Sequence, residues 1–159
     1  MTVTMISFEL QSKLDESADT LSKALLTMGG VNNELGPYIR MSAPARWSSM
    51  SLADWPTNEV LFTSWITLFG VLPIDLHRFK FEETNEQGFK ETSSSLMNRA
   101  WHHSRLITEL DEGCLVTDTV QYQSKLGPVG RLFLPVYKAI FKHRHRRLIS
   151  RYGQLCAVK

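Results

Sequence analysis

Hydrophobic and polar residues alternate at the start of the chain, as they do in a strand with one buried face. The alternation runs from Val3 to Leu10, and Ile6, Phe8 and Leu10 are expected to face inward. This first strand is expected to end near Ser12.

The next segment has apolar residues at helical spacing. Ser12 and Asp15 fit a capping box at its start, and the pair Gly29-Gly30 is expected to end this first helix. Residues 32–35 are compatible with one further helical turn.

Five segments with strand character follow, each separated from the next by turn-forming residues. They are Val60 to Phe69, Ile74 to Glu83, Gly88 to Ser95, Asn98 to Leu110 and Cys114 to Gln123. Short connections favour antiparallel hairpins, so these segments predict a meander. The polar, proline-containing stretch from Ala43 to Thr57 shows no clean strand, which leaves the total at six or seven.

After Gly127-Pro128 the apolar period changes to that of a long helix, which we expect to end near Gly153. Pro135 either kinks this helix or marks the start of its main part. The apolar stripe consists of Leu132, Phe133, Val136, Tyr137, Ile140, Phe141, Arg144 and Leu148. The expected fold class is therefore α+β, with an antiparallel sheet and a long C-terminal helix.

The totals are those of an ordinary globular protein. The 159 residues, 43% of them hydrophobic, predict one domain over residues 1–159, and no apolar run is long enough to cross a bilayer. The N-terminus does not resemble a secretory signal, so a cytoplasmic location is expected. Two cysteines, Cys114 and Cys156, are too few for a disulfide framework and are interpreted as reduced thiols.

Charge is distributed unevenly along the chain. Residues 1–124 hold nine Lys/Arg against sixteen Asp/Glu, whereas residues 125–159 hold nine Lys/Arg and no acidic residue. The basic stretch from Lys138 to Arg151 is interpreted either as a solvated helix face or as a transient contact for an anionic membrane. Nucleic acid is not expected as a partner.

The order of elements resembles that of the helix-grip superfamily, the SRPBCC or START-like group that includes the birch-pollen-allergen fold. Three short stretches are also similar: GVNNEL at 30–35, DTVQY at 118–122 and FKHRH at 141–145. The resemblance implies a curved antiparallel sheet wrapped around the C-terminal helix. It also implies binding of lipids, sterols, polyketides or other apolar molecules between the two, with catalysis in only some members.

Strand alternation places several polar side chains on the same face as aromatic ones. Asp75, His77, Glu91 and His103 are the candidate acid/base residues, and Arg105 is a candidate clamp for a ligand anion. The alternative is that these groups, together with Asp118, satisfy one another as buried ion pairs.

The candidate ligand-binding residues are mostly aromatic side chains of the strands and the final helix. They are Trp65, His77, Phe79, Phe81, Phe89, Trp101, His103, Arg105, Tyr122, Phe133, Tyr137 and Phe141. The same residues would alternatively fill a solid core.

Other chemistry has little support in the sequence. His143 and His145 point in different directions on a helix, so no metal site is expected, and no cofactor-binding motif is present. The first hypothesis is a non-enzymatic carrier of a hydrophobic small molecule. The alternatives are an enzyme of the polyketide cyclase or dehydratase type and a protein-interaction module.

Overall fold

The computed structural model describes residues 5–155, and seven strands form one antiparallel sheet with the order β1-β7-β6-β5-β4-β3-β2. The sheet is curled and holds a long C-terminal helix, as the resemblance implies. The strands are β1 (Ile6–Leu14), β2 (Ile39–Met41), β3 (Val60–Leu68), β4 (Leu72–Asn85), β5 (Gly88–Ser95), β6 (Asn98–Glu109) and β7 (Cys114–Ser124).

Within residues 5–155, four α-helices accompany the sheet and two short 3-10 helices connect parts of the chain. The α-helices are α1 (Ala18–Leu25), α2 (Met28–Leu35), α3 (Ala45–Ser49) and α4 (Leu134–Tyr152). The 3-10 helices are Leu52–Asp54 and Gly127–Phe133. No helix among residues 5–155 is long and apolar enough to cross a membrane.

The inward-facing residues of the first strand are those predicted, but the strand ends later than predicted, at Leu14. Ile6, Phe8 and Leu10 lie on the inner side, and the same alternation continues through the buried Ser12 and Leu14. The predicted capping box at Ser12 and Asp15 is therefore wrong, because Ser12 is in the strand. The helix is capped instead by Ser17, whose side chain accepts a hydrogen bond from the Thr20 amide. Val3 lies outside the described residues.

The predicted helix stop at Gly29-Gly30 is also wrong. Both glycines lie in the first turn of α2, where the Thr27 hydroxyl accepts a hydrogen bond of 2.9 Å from the Gly30 amide. A Cβ atom on Gly30 would lie 2.4 Å from the Ala24 carbonyl oxygen. Gly30 is therefore required by the close contact between the end of α1 and the start of α2.

The five predicted segments from Val60 onward do form an antiparallel meander. The seventh strand, β2, is only three residues long and pairs with β3 at the edge of the sheet. The stretch from Ala43 to Thr57 contains α3 and the Leu52–Asp54 3-10 helix instead of a strand.

The final helix begins later than its apolar stripe suggests. Pro135 lies in the first turn of α4, so it marks the start of the helix. Leu132 lies in the 3-10 helix and Val136 in the first turn of α4. They are 73% and 51% exposed, so their assignment to the buried stripe is wrong. Further along, Phe141 and Leu148 are buried against the sheet side of the molecule.

Candidate functional site

A cavity lies between the inner face of the sheet, α2 and α4. Its volume is about 130 Å³, roughly ten times the space that one water molecule requires. Most of the lining is apolar and comes from Met28, Val31, Leu35, Ile39, Met41, Leu52, Trp55, Ile66, Phe79, Phe81, Phe89, Trp101, Ile140 and Phe141. The polar lining consists of Asp75, His77, Glu91, Ser95, Asn98, His103, Tyr137 and Arg144.

Strand alternation brings most of the sequence-predicted candidates to this cavity. These are Asp75, His77, Phe79, Phe81, Phe89, Glu91, Trp101, His103, Tyr137 and Phe141. On β4, β5 and β6 the inner positions are mostly alternate residues, so His77, Glu91 and His103 lie among the phenylalanines.

Four candidates do not line the cavity. Trp65 is 50% exposed on the outer face of β3, because the inner positions of that strand belong to Phe62, Ser64 and Ile66. Tyr122 is fully buried, and its hydroxyl donates a hydrogen bond to the Gly130 carbonyl.

The other two candidates, Phe133 and Arg105, contact other side chains of the protein. The Phe133 ring stacks on Tyr137, with the ring centroids 6.2 Å apart. All three nitrogens of the Arg105 guanidinium donate to the carboxylates of Glu34 and Asp118. Four of the five N–H groups of Arg105 are thus engaged, which opposes the predicted role of Arg105 as an anion clamp.

The sequence analysis missed one side of the cavity, which is formed by α2, β2 and the irregular stretch. Met28, Val31 and Leu35 follow one another at helical spacing, and that spacing was a usable signal. Trp55 belongs to a segment without periodicity, so no pattern pointed to it. The contribution of this side depends on how the segment packs over the sheet.

The polar wall of the cavity is built on Glu91, which contacts two histidines. Glu91 Oε1 is 2.5 Å from His77 Nε2, and Glu91 Oε2 is 3.6 Å from His103 Nδ1. All three side chains are almost completely buried. Burial opposes ionisation of Glu91, but the charge of His77, its hydrogen bond to Glu91 and the nearby His103 lower the pKa of Glu91 to about 2.

Behind this wall lies a buried group of ion pairs. Asp118 accepts hydrogen bonds from Arg105 at 2.9 and 2.6 Å, from His103 at 2.8 Å and from His145 at 2.9 Å. Burial opposes its ionisation, yet the charge of Arg105 and these hydrogen bonds hold the pKa of Asp118 well below its usual range. His145 is held in turn by Ser12, 2.7 Å from its Nδ1 atom.

The same network reaches α4 through Glu34, a residue of α2 that sequence patterning did not single out. Glu34 accepts two hydrogen bonds from Arg105, at 2.6 and 2.9 Å, and one from Arg144 at 2.9 Å. Burial opposes ionisation of Glu34, but the charges of both arginines lower its pKa. The interpretation as buried ion pairs therefore describes Arg105 and Asp118, whereas His77, Glu91 and His103 also face the cavity.

Two buried polar atoms of cavity residues have no hydrogen-bond partner among residues 5–155. They are Nε1 of Trp55 and Oδ1 of Asn98, whose Nδ2 donates a 2.8 Å hydrogen bond to the Tyr137 hydroxyl. Within the same range, no three His, Cys, Asp or Glu side chains are grouped so that they could hold a metal ion. The chemistry that this site offers is therefore apolar contact combined with a few polar groups.

Comparison with known proteins identifies one family. A family model described as a domain of unknown function (DUF8410) matches residues 12–152, which is most of the chain. No curated protein matches the sequence.

Solved structures share the fold over nearly the whole chain. The Zhui aromatase/cyclase from a Streptomyces species has a TM-score of 0.63 at 10% identity and covers 92% of this chain and 93% of its own. A START superfamily protein from Mycobacterium smegmatis has a TM-score of 0.60 at 12% identity, covering 96% of this chain and 99% of its own. The major latex-like protein 151 from Panax ginseng has a TM-score of 0.62 at 9% identity and covers 93% of this chain and 97% of its own. At these identities the likeness concerns the helix-grip fold.

Proposed function

The chain belongs to the DUF8410 family, and we propose that it binds a hydrophobic small molecule in the cavity between the sheet and α4. The observation that carries the proposal is the cavity itself. Its aromatic and aliphatic walls enclose space in the position where a well-packed core would leave none. The cavity supports ligand binding over the interaction-module hypothesis, which expects a filled core.

The polar wall indicates what kind of apolar molecule fits. His77, Glu91 and Arg144 bring hydrogen-bonding groups to one part of a mainly apolar surface. The Arg144 guanidinium lies over the Phe141 ring at 5.0 Å and bonds Glu34 through Nε. A ligand with an extended apolar body and a small number of oxygen atoms matches this distribution better than a pure hydrocarbon.

Native mass spectrometry of the purified protein beside a denatured control tests this proposal. Fatty acids, sterols and aromatic polyketides are added in turn, and a one-to-one complex is expected with one of these classes. The variant Ile66→Trp places a larger side chain at the cavity wall and should lose the complex. Thr63→Trp is the control, because Thr63 is exposed on the outer face of the same strand.

Loss of the complex in both variants, or no complex with any class, would contradict the proposal. Circular dichroism and thermal unfolding of both variants establish that the fold is retained. A complex that forms equally well with Ile66→Trp would place the ligand elsewhere on the molecule.

A second candidate function, acid/base catalysis on the bound molecule, is favoured by the contacts of Glu91 with His77 and His103 at the cavity wall. The carboxylate would hold one imidazole in position to move a proton at a ligand carbonyl or hydroxyl. The same spectra test it, because dehydration lowers the ligand mass by one water. Glu91→Gln would then bind the ligand without changing its mass.

A further inference from the structure

The connections of an antiparallel meander alternate between the two ends of the sheet. The β3–β4 turn, the β5–β6 turn and the segment after β7 therefore lie at one end. The β4–β5 and β6–β7 turns lie at the other end. The exposed side chains at the two ends differ in polarity and charge.

The first end carries an unusual number of exposed apolar side chains. Val71, Leu132, Phe69 and Leu96 are 81%, 73%, 63% and 61% exposed, although large apolar side chains are normally covered. We call the following set the apolar end: Phe69, Val71, Leu72, Leu96, Leu126, Val129, Leu132 and Val136. They come from three separate parts of the chain: the β3–β4 turn with the start of β4, the β5–β6 turn, and the segment from Leu126 into the first turn of α4.

Hydrogen bonds join these connections into one surface. The Leu96 amide donates to the Leu76 carbonyl at 3.1 Å, which links the β5–β6 turn to β4 beside the β3–β4 turn. Lys125 Nζ donates to the Ser95 carbonyl at 2.7 Å, which links the segment after β7 to the same turn. The β5–β6 turn is therefore tied both to β4 and to the segment after β7.

The charges near the apolar end are almost all positive. Arg99, Lys125, Arg131 and Lys138 are exposed there, and Asp75 is the only acidic residue in segments 68–76, 95–99 and 124–138. The Asp75 carboxylate is engaged, since it accepts hydrogen bonds from the Leu76 and Leu96 amides.

The opposite end has the reverse character. Its turns at 85–88 and 109–113 contain Glu86, Glu109, Asp111 and Glu112, and no lysine or arginine. All four acidic side chains are exposed. Among the connections between strands, exposed apolar side chains and positive charge thus occur together at the first end, whereas exposed acidic side chains mark the other end.

We propose that the apolar end docks on an anionic lipid bilayer. Protruding apolar side chains flanked by cations suit the membrane interface, where binding increases with buried apolar area and with attraction to acidic headgroups. A symmetric dimer through the same end would instead bring the cations of two copies together. Docking does not require a ligand in the cavity, although the cavity reaches toward this end at Asp75, Asn98 and Tyr137.

Vesicle co-sedimentation of the full chain tests the docking. The protein should bind vesicles of phosphatidylcholine with phosphatidylserine, bind weakly to phosphatidylcholine alone, and lose binding as salt is raised. Replacing Val71 and Leu132 together by Ser should weaken binding by about tenfold or more, because two side chains no longer enter the interface. Leu106→Ser is the matched control, since Leu106 is 52% exposed but pairs with Gly88 at the opposite end.

The cations are tested in the same way. Arg131→Gln combined with Lys138→Gln should reduce the preference for phosphatidylserine, whereas Arg151→Gln, in the last turn of α4, should retain it. The cavity variant Ile66→Trp should bind vesicles as the unchanged protein does. Failure of ligand binding and failure of docking are therefore distinguishable.

Several results would overturn the docking. One is the absence of binding to either vesicle, and another is a Val71/Leu132 double variant that binds as strongly as the unchanged protein. A third result would come from light scattering, which measures the oligomeric state. A dimer that this double variant converts to a monomer would assign the apolar end to a second copy of the chain.

Discussion

At the scale of single residues, Glu34 of α2 links two other elements through buried ion pairs. It is 2% exposed and joins Arg105 on β6 to Arg144 on α4, so its carboxylate pairs with two buried guanidinium groups. Glu34→Gln should lower the free energy of unfolding by roughly 3 kcal/mol, because buried positive charge then lacks a partner. Urea unfolding followed by circular dichroism measures this change.

Glu83→Gln provides the matched control. Glu83 lies 2.7 Å from Lys90, but both side chains are at least half exposed, so water replaces the lost ion pair. This variant should unfold at nearly the same urea concentration as the unchanged protein. Equal effects of the two substitutions would mean that the buried network contributes no more to stability than a surface pair.

At the scale of elements, the junction of α1 and α2 depends on a single glycine. Gly30→Ala would place a Cβ atom 2.4 Å from the Ala24 carbonyl oxygen and 2.8 Å from that of Leu25. Both contacts are with backbone, which cannot rotate away, so the helices must separate. The expected loss of stability is about 1–3 kcal/mol, measured as a lower thermal midpoint.

Gly29→Ala is the control that separates the close contact at Gly30 from the general effect of replacing a glycine. A Cβ atom on Gly29 would meet only the Thr27 side chain, at 3.8 Å. Gly29→Ala should therefore leave stability unchanged or raise it by up to about 1 kcal/mol through better helix propensity. Destabilisation by both substitutions to the same extent would show that the close contact at Gly30 is not responsible.

At the scale of the whole molecule, three buried carboxylates make the fold sensitive to acid. The pKa of Glu91 is about 2 in the folded chain, against an ordinary value of 4.5, and the pKa values of Glu34 and Asp118 are also lowered. The unfolded chain therefore takes up these protons first on acidification. The stabilisation is complete above about pH 4.5 and decreases as the pH falls toward 2.

Urea midpoints measured between neutral pH and pH 2 should show this loss. Its steepness should approach about 1.4 kcal/mol per pH unit for each carboxylate that binds a proton on unfolding. Glu91→Gln removes one of these groups, so its stability curve should be shallower in the same pH range. An unchanged slope would mean that Glu91 ionises no more readily in the folded chain than in the unfolded one.

The sequence by itself determined the strand meander, the long final helix and the inner face of each main strand. Side chains alternate with a period of two, so the positions of His77, Glu91 and His103 beside the phenylalanines followed from spacing alone. The helix-grip architecture was implied by the resemblance of the element order to that superfamily. The strands that carry the site and the direction of its main side chains could therefore be predicted without a structure.

Only the tertiary structure decided which inward side chains face the cavity and which satisfy one another. Arg105 and His103 share a strand face, yet Arg105 is held by Glu34, a residue 71 positions away in the chain. The side of the cavity formed by Trp55 depended on how an aperiodic segment folds back over the sheet. Local spacing specifies direction, whereas ion pairing and cavity shape depend on distances between residues that the chain connects only remotely.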